Sequence, residues 1–411
     1  MSWEKVKLGD VCTKIGSGAT PKGGSTVYIE NGTTFIRSQN VYNLSFDYGG
    51  LVHINEEAAK KLNGVTIQEN DVLLNITGDS VARTCIVPSE LIPARVNQHV
   101  AIVRPDKDVL NPLFLNYYLV SPYMQSHMLG LAVGKGASRN AMTKDMIARF
   151  EVPCPSMDVQ EKIVDILKPY DSLIQNNQKQ IKLLEEAAQR LYKEWFVDLH
   201  FPGYEDMKIV DGVPDGWKKT KIGEFLNIRS GYAFKSGWWQ DTGYPVVKIK
   251  NIVNNTIDIS NVDFVSPERT SKIPEFKLHK GDIVIAMTGA TIGKIGLIPD
   301  IGNLYTNQRV GKVFYNKELI NPTPFVFCYY SQKSVLDQII ALSSSSSAQP
   351  NISGEQLESF EIIANVEMIN AFGKLVQPYF DKINYLYKQI NLSVQSRDRL
   401  LPKLMSGENE V

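Results

Sequence analysis

The sequence predicts an α+β fold written twice: two mixed α/β globular domains, internally duplicated, separated by two long antiparallel helices packed as a coiled coil. Three observations predict it. The passage "NITGDSVARTCIVP" (Asn75 to Pro88) aligns without a gap with "AMTGATIGKIGLIP" (Ala286 to Pro299), 211 residues downstream. In each copy, short β-branched runs broken by Gly, Asn, Asp and Pro give way to helical sequence. Each copy then closes on a long stretch with apolar residues seven positions apart. A period of 211 lies far beyond the roughly 20–50 residues of a solenoid repeat. The duplicated unit is therefore a domain, and 411 residues leave room for two full cores.

The elements follow in order. "WEKVKLGDVCTKIGSG" (Trp3 to Gly18) opens the first copy and returns as "WKKTKIGEFLNIRSG" (Trp217 to Gly231). Strands are predicted at "FIRSQNV", "DVLLNIT" and "HVAIVRP" in copy one, and at "YPVVKIK", "DIVIAMT" and "RVGKVFY" in copy two. Asn111-Pro112 and Asn321-Pro322 read as the cap and first turn of the helices that follow. Between Asp158 and Phe196, the residues Ile174, Ile181, Ala188 and Trp195 fall seven apart, interleaved with Leu184 and Leu191. In the closing stretch Ile383 and Ile390 are seven apart, near Leu386, Val394, Leu400 and Leu401. The two stripes can bury each other in an intramolecular antiparallel pair, or each can pack on its own domain. Pro169 and Pro378 are expected to kink or restart these helices. The expected boundaries are 1–157 for the first domain, 158–200 for a central helix and junction, 201–366 for the second domain with its leading linker, and 367–411 for a distal helix.

Composition excludes little. Hydrophobic residues at 43% and charged residues at 21% describe an ordinary folded chain, not a disordered one. Lys+Arg and Asp+Glu both number 44, so net charge neither signals nor excludes a polyanionic partner. Cys12, Cys85, Cys154 and Cys328 form no CxxC, which argues against a zinc or redox site and for reduced thiols in a cytoplasmic protein. No apolar run approaches transmembrane length, and no membrane association is expected.

Several fragments imitate catalytic motifs. "TGATIGKIG" (Thr288 to Gly296) resembles a phosphate-binding loop, but three residues rather than four separate Gly289 from Gly293, and Ile295 stands where the Mg²⁺-binding hydroxyl belongs. A strand-to-strand turn is the simpler reading. "NPLF" and "NPTPF" imitate an amino-methyltransferase motif but lack its second proline and open helices. The five histidines form no metal-ligating cluster. Asp71 and Asp282 read as turn residues. No catalytic residue, metal ligand or cofactor site is expected.

What does recur is a side-chain set suited to nucleic acid. Arginine pairs with guanine and Asn or Gln with adenine, while hydroxyls and amides hold phosphates. Copy one offers Ser17, Arg37, Gln39, Asn40, Thr77, Arg83, Arg95, Asn97, Gln98, Lys135, Ser138 and Arg139. Copy two offers Arg229, Tyr232, Lys235, Lys248, Lys250, Asn251, Thr288, Lys294, Asn307, Gln308, Arg309 and Gln349. Each of them is equally at home in a solvated loop. "RSGYAFKSGWW" (Arg229 to Trp239) can stack at a groove or serve as a strand with core aromatics.

The order of parts resembles the specificity subunit of type I restriction–modification systems. The resemblance covers essentially all 411 residues and rests on "WEKVKLGD…IGSG", "GYAFKS", "DVLLNITG"/"DIVIAMTG", "RVNQHVAIVRP", "LYKEWFVDLHFPG", "VPDGW" and "RDRLLPKLMSGE". It implies a non-catalytic subunit with two target-recognition domains, each binding one half of a bipartite double-stranded DNA site. It implies a helical ruler that docks two adenine methyltransferase subunits, with motor-nuclease (restriction) subunits joining the complex. That complex would be an adenine-N6 DNA methyltransferase and ATP-dependent endonuclease. On this view Leu184, Leu191, Trp195, Phe196 and Leu401 are expected to carry docking; the other reading of Trp195 and Phe196 is that they close the helix on the next domain. The serine run "ALSSSSSAQPN" departs from the basic loop "GLAVGKGASRN" of copy one. Two other functions stay open: a stand-alone DNA methyltransferase with its own recognition domains, and a protein–protein scaffold without a DNA role.

Overall fold

A computed structural model describes residues 3–133, 141–343 and 350–407. It divides into two compact units, Met1–Leu173 with Ser393–Val411, and Ile174–Leu392. Lys135, Ser138, Arg139 and Gln349 lie outside the described residues.

The first unit is built on an antiparallel sheet ordered Cys12–Ser17, Val100–Pro105, Val72–Asn75, Thr84–Ile86. Strand residues alternate faces with a period of two, and here both faces are buried. Leu73 and Ile102 point into a core shared with Ile36 and Val96, which belong to a second sheet. In that sheet Ala94–Val96 runs parallel to Thr33–Ile36, which pairs antiparallel with Val52–Ile54. Val72, Leu74, Ala101 and Val103 face the helices Pro112–Val120 and Pro122–Ala132 and the apolar stripe of the long helix Met157–Tyr192.

The second unit repeats the plan. Its main sheet runs Leu226–Ser230, Val310–Tyr315, Ile283–Ala286, Ile295–Leu297. Its small sheet again holds one parallel pair, Tyr244–Val247 with Leu304–Thr306. In both units the opening strand pairs with the closing one, Lys5–Lys7 with Glu151–Pro153 and Lys218–Lys221 with Glu361–Ala364. A long helix begins directly afterwards, Met157–Tyr192 in one case and Val366–Ser406 in the other.

The seven-residue seam holds: Ile174, Ile181, Ala188 and Trp195 are all buried. The helices pair antiparallel. Within the first unit Asp171 binds Arg397 at 2.7 Å. Within the second, Asn177 Nδ2 donates to Gln389 Oε1 at 3.3 Å and Tyr192 meets Phe372 at 6.1 Å, so numbers rise on one helix as they fall on the other. Neither helix restarts at its proline. Pro169 and Pro378 lie on solvent-facing positions, as do Asp165 and Lys374 four residues earlier, whose freed carbonyls water can satisfy. Each helix is shared between the units, because Ile163, Val164 and Leu167 together with Leu401, Leu404 and Met405 complete the core of the first.

Two expectations need amendment. Asn111 caps its helix by accepting from Leu113 N and Phe114 N, but Asn321 takes a left-handed φ of 52° and the helix starts at Thr323 without a side-chain cap. Asp71 does more than shape a turn. It is fully buried, accepts from Gln68 N at 2.7 Å and takes two bonds from Arg104, at 2.7 and 2.8 Å. Asp282 accepts from His279 N at 2.8 Å and pairs with Lys312 at 2.7 Å. Arg104 also reaches Thr66 O, and Lys312 reaches Lys277 O, the equivalent carbonyl.

Candidate nucleic-acid interface

In each unit a set of hydrogen bonds draws five loop segments to one end of the main sheet. In the first, Gly18 N donates to Val100 O (2.8 Å), Asn97 N to Ile36 O (3.0 Å), Ile76 N to His99 O (2.9 Å) and Met142 N to Ile76 O (2.8 Å). Asn75 Nδ2 ties in Ser38 O at 2.8 Å. In the second, Gly231 N donates to Val310 O (3.0 Å), Asn307 N to Val247 O (3.0 Å), Met287 N to Arg309 O (3.0 Å) and Ile352 N to Met287 O (3.0 Å). The approach is close enough to require glycine: a Cβ on Gly18 would lie 2.2 Å from Val96 O, and one on Gly231 2.3 Å from Thr306 O. The Thr-Gly turns also need it, with Gly78 at φ 73° and Gly289 at φ 76°.

One loop is locked by the same kind of asparagine clamp in both units. Asn40 Oδ1 accepts from Arg37 N (3.0 Å), and its Nδ2 donates to Asp47 O (2.8 Å) and Gly49 O (3.2 Å). Asn251 Oδ1 accepts from Lys248 N (3.0 Å), and its Nδ2 donates to Asp258 O (3.1 Å) and Asn261 O (3.0 Å). With Asn40 0% and Asn251 2% exposed, neither reads a base; they hold the loop that presents their neighbours. Arg95 is likewise buried, spending its guanidinium on Ala59 O, Ala94 O and Asn63 Oδ1. Asn97 is buried and accepts from His99 N, shaping its own turn as Asn307 does by accepting from Arg309 N.

Other candidates do gather at the rim. In the first unit Gln39, Thr77 and Arg83 line an open cleft of about 510 Å³ together with Tyr42, Asp79 and His99. Arg83 lies 4.5 Å above the Tyr42 ring, a cation–π contact that orients it. Thr77 Oγ1 is 2.6 Å from His99 Nδ1. Ser17, Gln39 and Gln98 are exposed, and Arg37 is half-buried, bonded to Gly50 O. Tyr42, Asp79 and His99 are not of the Arg/Lys and Asn/Gln types that mark most of the other candidates; Tyr42 and His99 lie within two residues of Asn40 and Gln98, and Asp79 four residues before Arg83.

In the second unit Lys250, Lys294, Gln308 and Arg309 are exposed, and Thr288 is half-buried. Lys248 sits 3.8 Å over the Trp239 ring. Lys248 and Lys250 grip Asp263 at 3.0 and 3.3 Å, and this bonding, that of Lys248 foremost, holds the carboxyl below its usual range. Arg229 stays within its strand, bonded to Asn227 and 5.1 Å over Phe314. Tyr232 is half-buried and stacks on Trp238 at 5.6 Å, so the aromatic passage packs as a small core and leaves Lys235 exposed. "TGATIGKIG" is a turn between two strands, with no helix after it to cradle a phosphate.

The docking candidates divide differently from expectation. Trp195 and Phe196 are 7% and 6% exposed, packed against Tyr192, Phe325, Phe372 and Trp217 in the core of the second unit. They close the helix on its domain through a π-helical turn, Lys193–Val197, and keep little surface, Phe196 at the edge of an open cleft with Tyr192 and Val197. Leu401 is core in the first unit, and Leu184 and Leu191 are half-buried against the core of the second. The apolar side chains that the long helices do expose are Ile166 and Leu173 in the first unit, and Leu183, Leu375, Tyr385 and Leu392 in the second.

Residues 1–186 and 214–364 match the family described as the Type I restriction modification DNA specificity domain, once for each module. The chain belongs to this family. It is a specificity subunit of the type I restriction–modification kind. It is 26% identical over 421 residues to the type I restriction enzyme MjaIX specificity subunit of Methanocaldococcus jannaschii, covering 100% of this chain and 94% of that one. It is 22% identical to the HindI specificity subunit of Haemophilus influenzae, with 99% of each chain covered. The crystal structure of a type I restriction–modification system S subunit from M. genitalium shares the fold, with a TM-score of 0.56, 16% identity, and coverage of 98% and 96%. Among the described residues of this specificity subunit, no helix is long and apolar enough to cross a membrane.

Proposed function

We propose that this specificity subunit is the non-catalytic DNA reader of its complex. Each module binds one half of a bipartite double-stranded DNA site, and the paired helices set the spacing between halves. Adenine methyltransferase subunits dock on the helices through exposed apolar side chains such as Leu183, Tyr385 and Leu392, and motor-nuclease subunits join through them. The observation that carries this reading is a constant scaffold under a variable rim. The same loop cluster is tied together by equivalent bonds in both units, while the rim changes from Gln39, Tyr42, Asp79 and His99 to Lys250, Val253, Ala290 and Arg309. Two readers of different half-sites need that combination: backbone-held loops in a fixed register, and different side chains facing the bases.

The direct test is exchange of one module. The first unit includes the end of the second long helix, so residues 1–173 should be exchanged together with 393–411, both taken from a relative. Methylome sequencing of cells carrying the hybrid system should show one half of the methylated sequence replaced and the other kept. A coordinated change in both halves would defeat the assignment of one half-site per module.

Arg83 and Lys294 follow the Thr-Gly turn at equivalent positions in the two modules. As phosphate contacts, each should contribute about one unit to the slope of log affinity against log salt. Arg83→Ala and Lys294→Ala, assayed in the assembled complex, should each weaken binding across all sequences and lower that slope by roughly one. Unchanged slopes in both would make the turns scaffold only.

A further inference from the structure

We propose that Asp79 is a specificity-determining residue of the first half-site, requiring there a base that offers an exocyclic amino group in the major groove, cytosine N4 or adenine N6. The proposal rests on the reading of the cleft as a DNA surface and adds to it the chemistry of one contact. Asp79 is exposed on the turn Gly78–Ser80 and lines the cleft beside Gln39, Tyr42 and Arg83. A carboxylate in front of a polyanion is repelled by every phosphate it meets. Two arrangements relieve this: a neighbouring cation neutralises it, or it faces a base edge that donates.

The second module takes the first course. A partly exposed carboxylate there, Asp263 in the strand Asp263–Val265, is held by Lys248 at 3.0 Å and Lys250 at 3.3 Å. Asp79 is not treated so. Arg83, the cation that shares its cleft, is drawn over the Tyr42 ring at 4.5 Å, and among the described residues no ion pair includes Asp79. Its counterpart in the other module is Ala290, so the shared scaffold does not require a carboxylate at this position. Asp79 takes the second course, the base edge. In the major groove cytosine N4 and adenine N6 are donors, whereas guanine N7 and O6 and thymine O4 are acceptors that repel a carboxylate. Asp79 thus admits two bases and rejects two.

The experiment uses the full complex assembled with wild-type, Asp79→Asn and Asp79→Ala subunits. Methylated sites are mapped on genomic DNA, and affinity is measured for the wild-type site and for variants at each position of the first half. Wild type should require C or A at one position of that half. Asp79→Ala should accept further bases at that position alone, and the ratio of affinities between preferred and rejected bases should fall by roughly tenfold or more. Asp79→Asn keeps the side-chain shape but adds a donor, and should relax the same position. The second half-site should not change. If both variants methylate the wild-type sequence with the wild-type ratio, the proposal is overturned while the half-site reading survives. If wild type itself methylates no bipartite sequence, both fall.

Discussion

Replacing Arg104 by alanine should destabilise the first unit by about 3–5 kcal/mol, the cost of leaving a buried charge without its partner. Asp71 is fully buried, and Arg104 supplies both of its side-chain bonds; after the substitution only Gln68 N still donates to the carboxylate. Asp71 precedes the strand Val72–Asn75 and Arg104 belongs to Val100–Pro105, its hydrogen-bonded neighbour in the main sheet, so the pair ties the two strands together. Lys312→Ala should cost less, about 1–3 kcal/mol, because Asp282 keeps 19% of its side chain exposed and His279 lies 3.7 Å away. Denaturant unfolding of the full chain, with amide exchange followed in each main sheet, separates the two effects. Equal exchange protection in Arg104→Ala and wild type would show that the pair contributes nothing.

Adding one heptad to both long helices should keep both half-sites of the recognised DNA, lengthen the unread spacer and lower activity. Insertions belong after Leu173 and after Leu392. Asp171–Arg397 lies on one side of these points and Asn177–Gln389 on the other, so both pairs survive. Seven residues preserve the phase of the seam and add about 10 Å, or up to ~3 base pairs at ~3.4 Å each. Twist opposes a clean shift, since three more pairs rotate one half-site by roughly 100° at about 10.5 pairs per turn. Methylation mapping checks it, and an active insertion mutant with the original spacer would exclude the helices as a ruler.

The architecture was largely legible because burial leaves a periodic trace. Ile174, Ile181, Ala188 and Trp195 announce a seam, and paired passages such as Asn75–Pro88 and Ala286–Pro299 announce a second copy of whatever the first one builds. The site was less legible, because polarity in a sequence has no direction. Asn40 and Arg83 look equally suited to DNA, yet one turns inward to lock a loop and the other lies on the rim. A clue to the difference was present: Asn40 returns unchanged as Asn251, as scaffold should, while Gln39 becomes Lys250. Pro169 and Pro378 do not restart their helices, for a related reason. Their cost depends on whether the freed carbonyl meets water, and that is decided by packing.

The aspartate–cation pair has a consequence for how the two modules share ancestry. Strand pairing sets Val100 opposite Asn75 and Val310 opposite Ala286. A residue-by-residue comparison then places Arg104 against Phe314 and Ile102 against Lys312, and records two mismatches where the fold keeps one contact. The cations stand two residues apart in the two registers, the step with which a strand returns to the same face. What the two copies share is a positive charge beside the same aspartate and the same carbonyl. A crossover between the copies falling between these two positions would leave either two cations or none beside the aspartate; one falling elsewhere along the strand leaves one. Recombination inside the module is thus penalised at this step, and recombination at its edges is not.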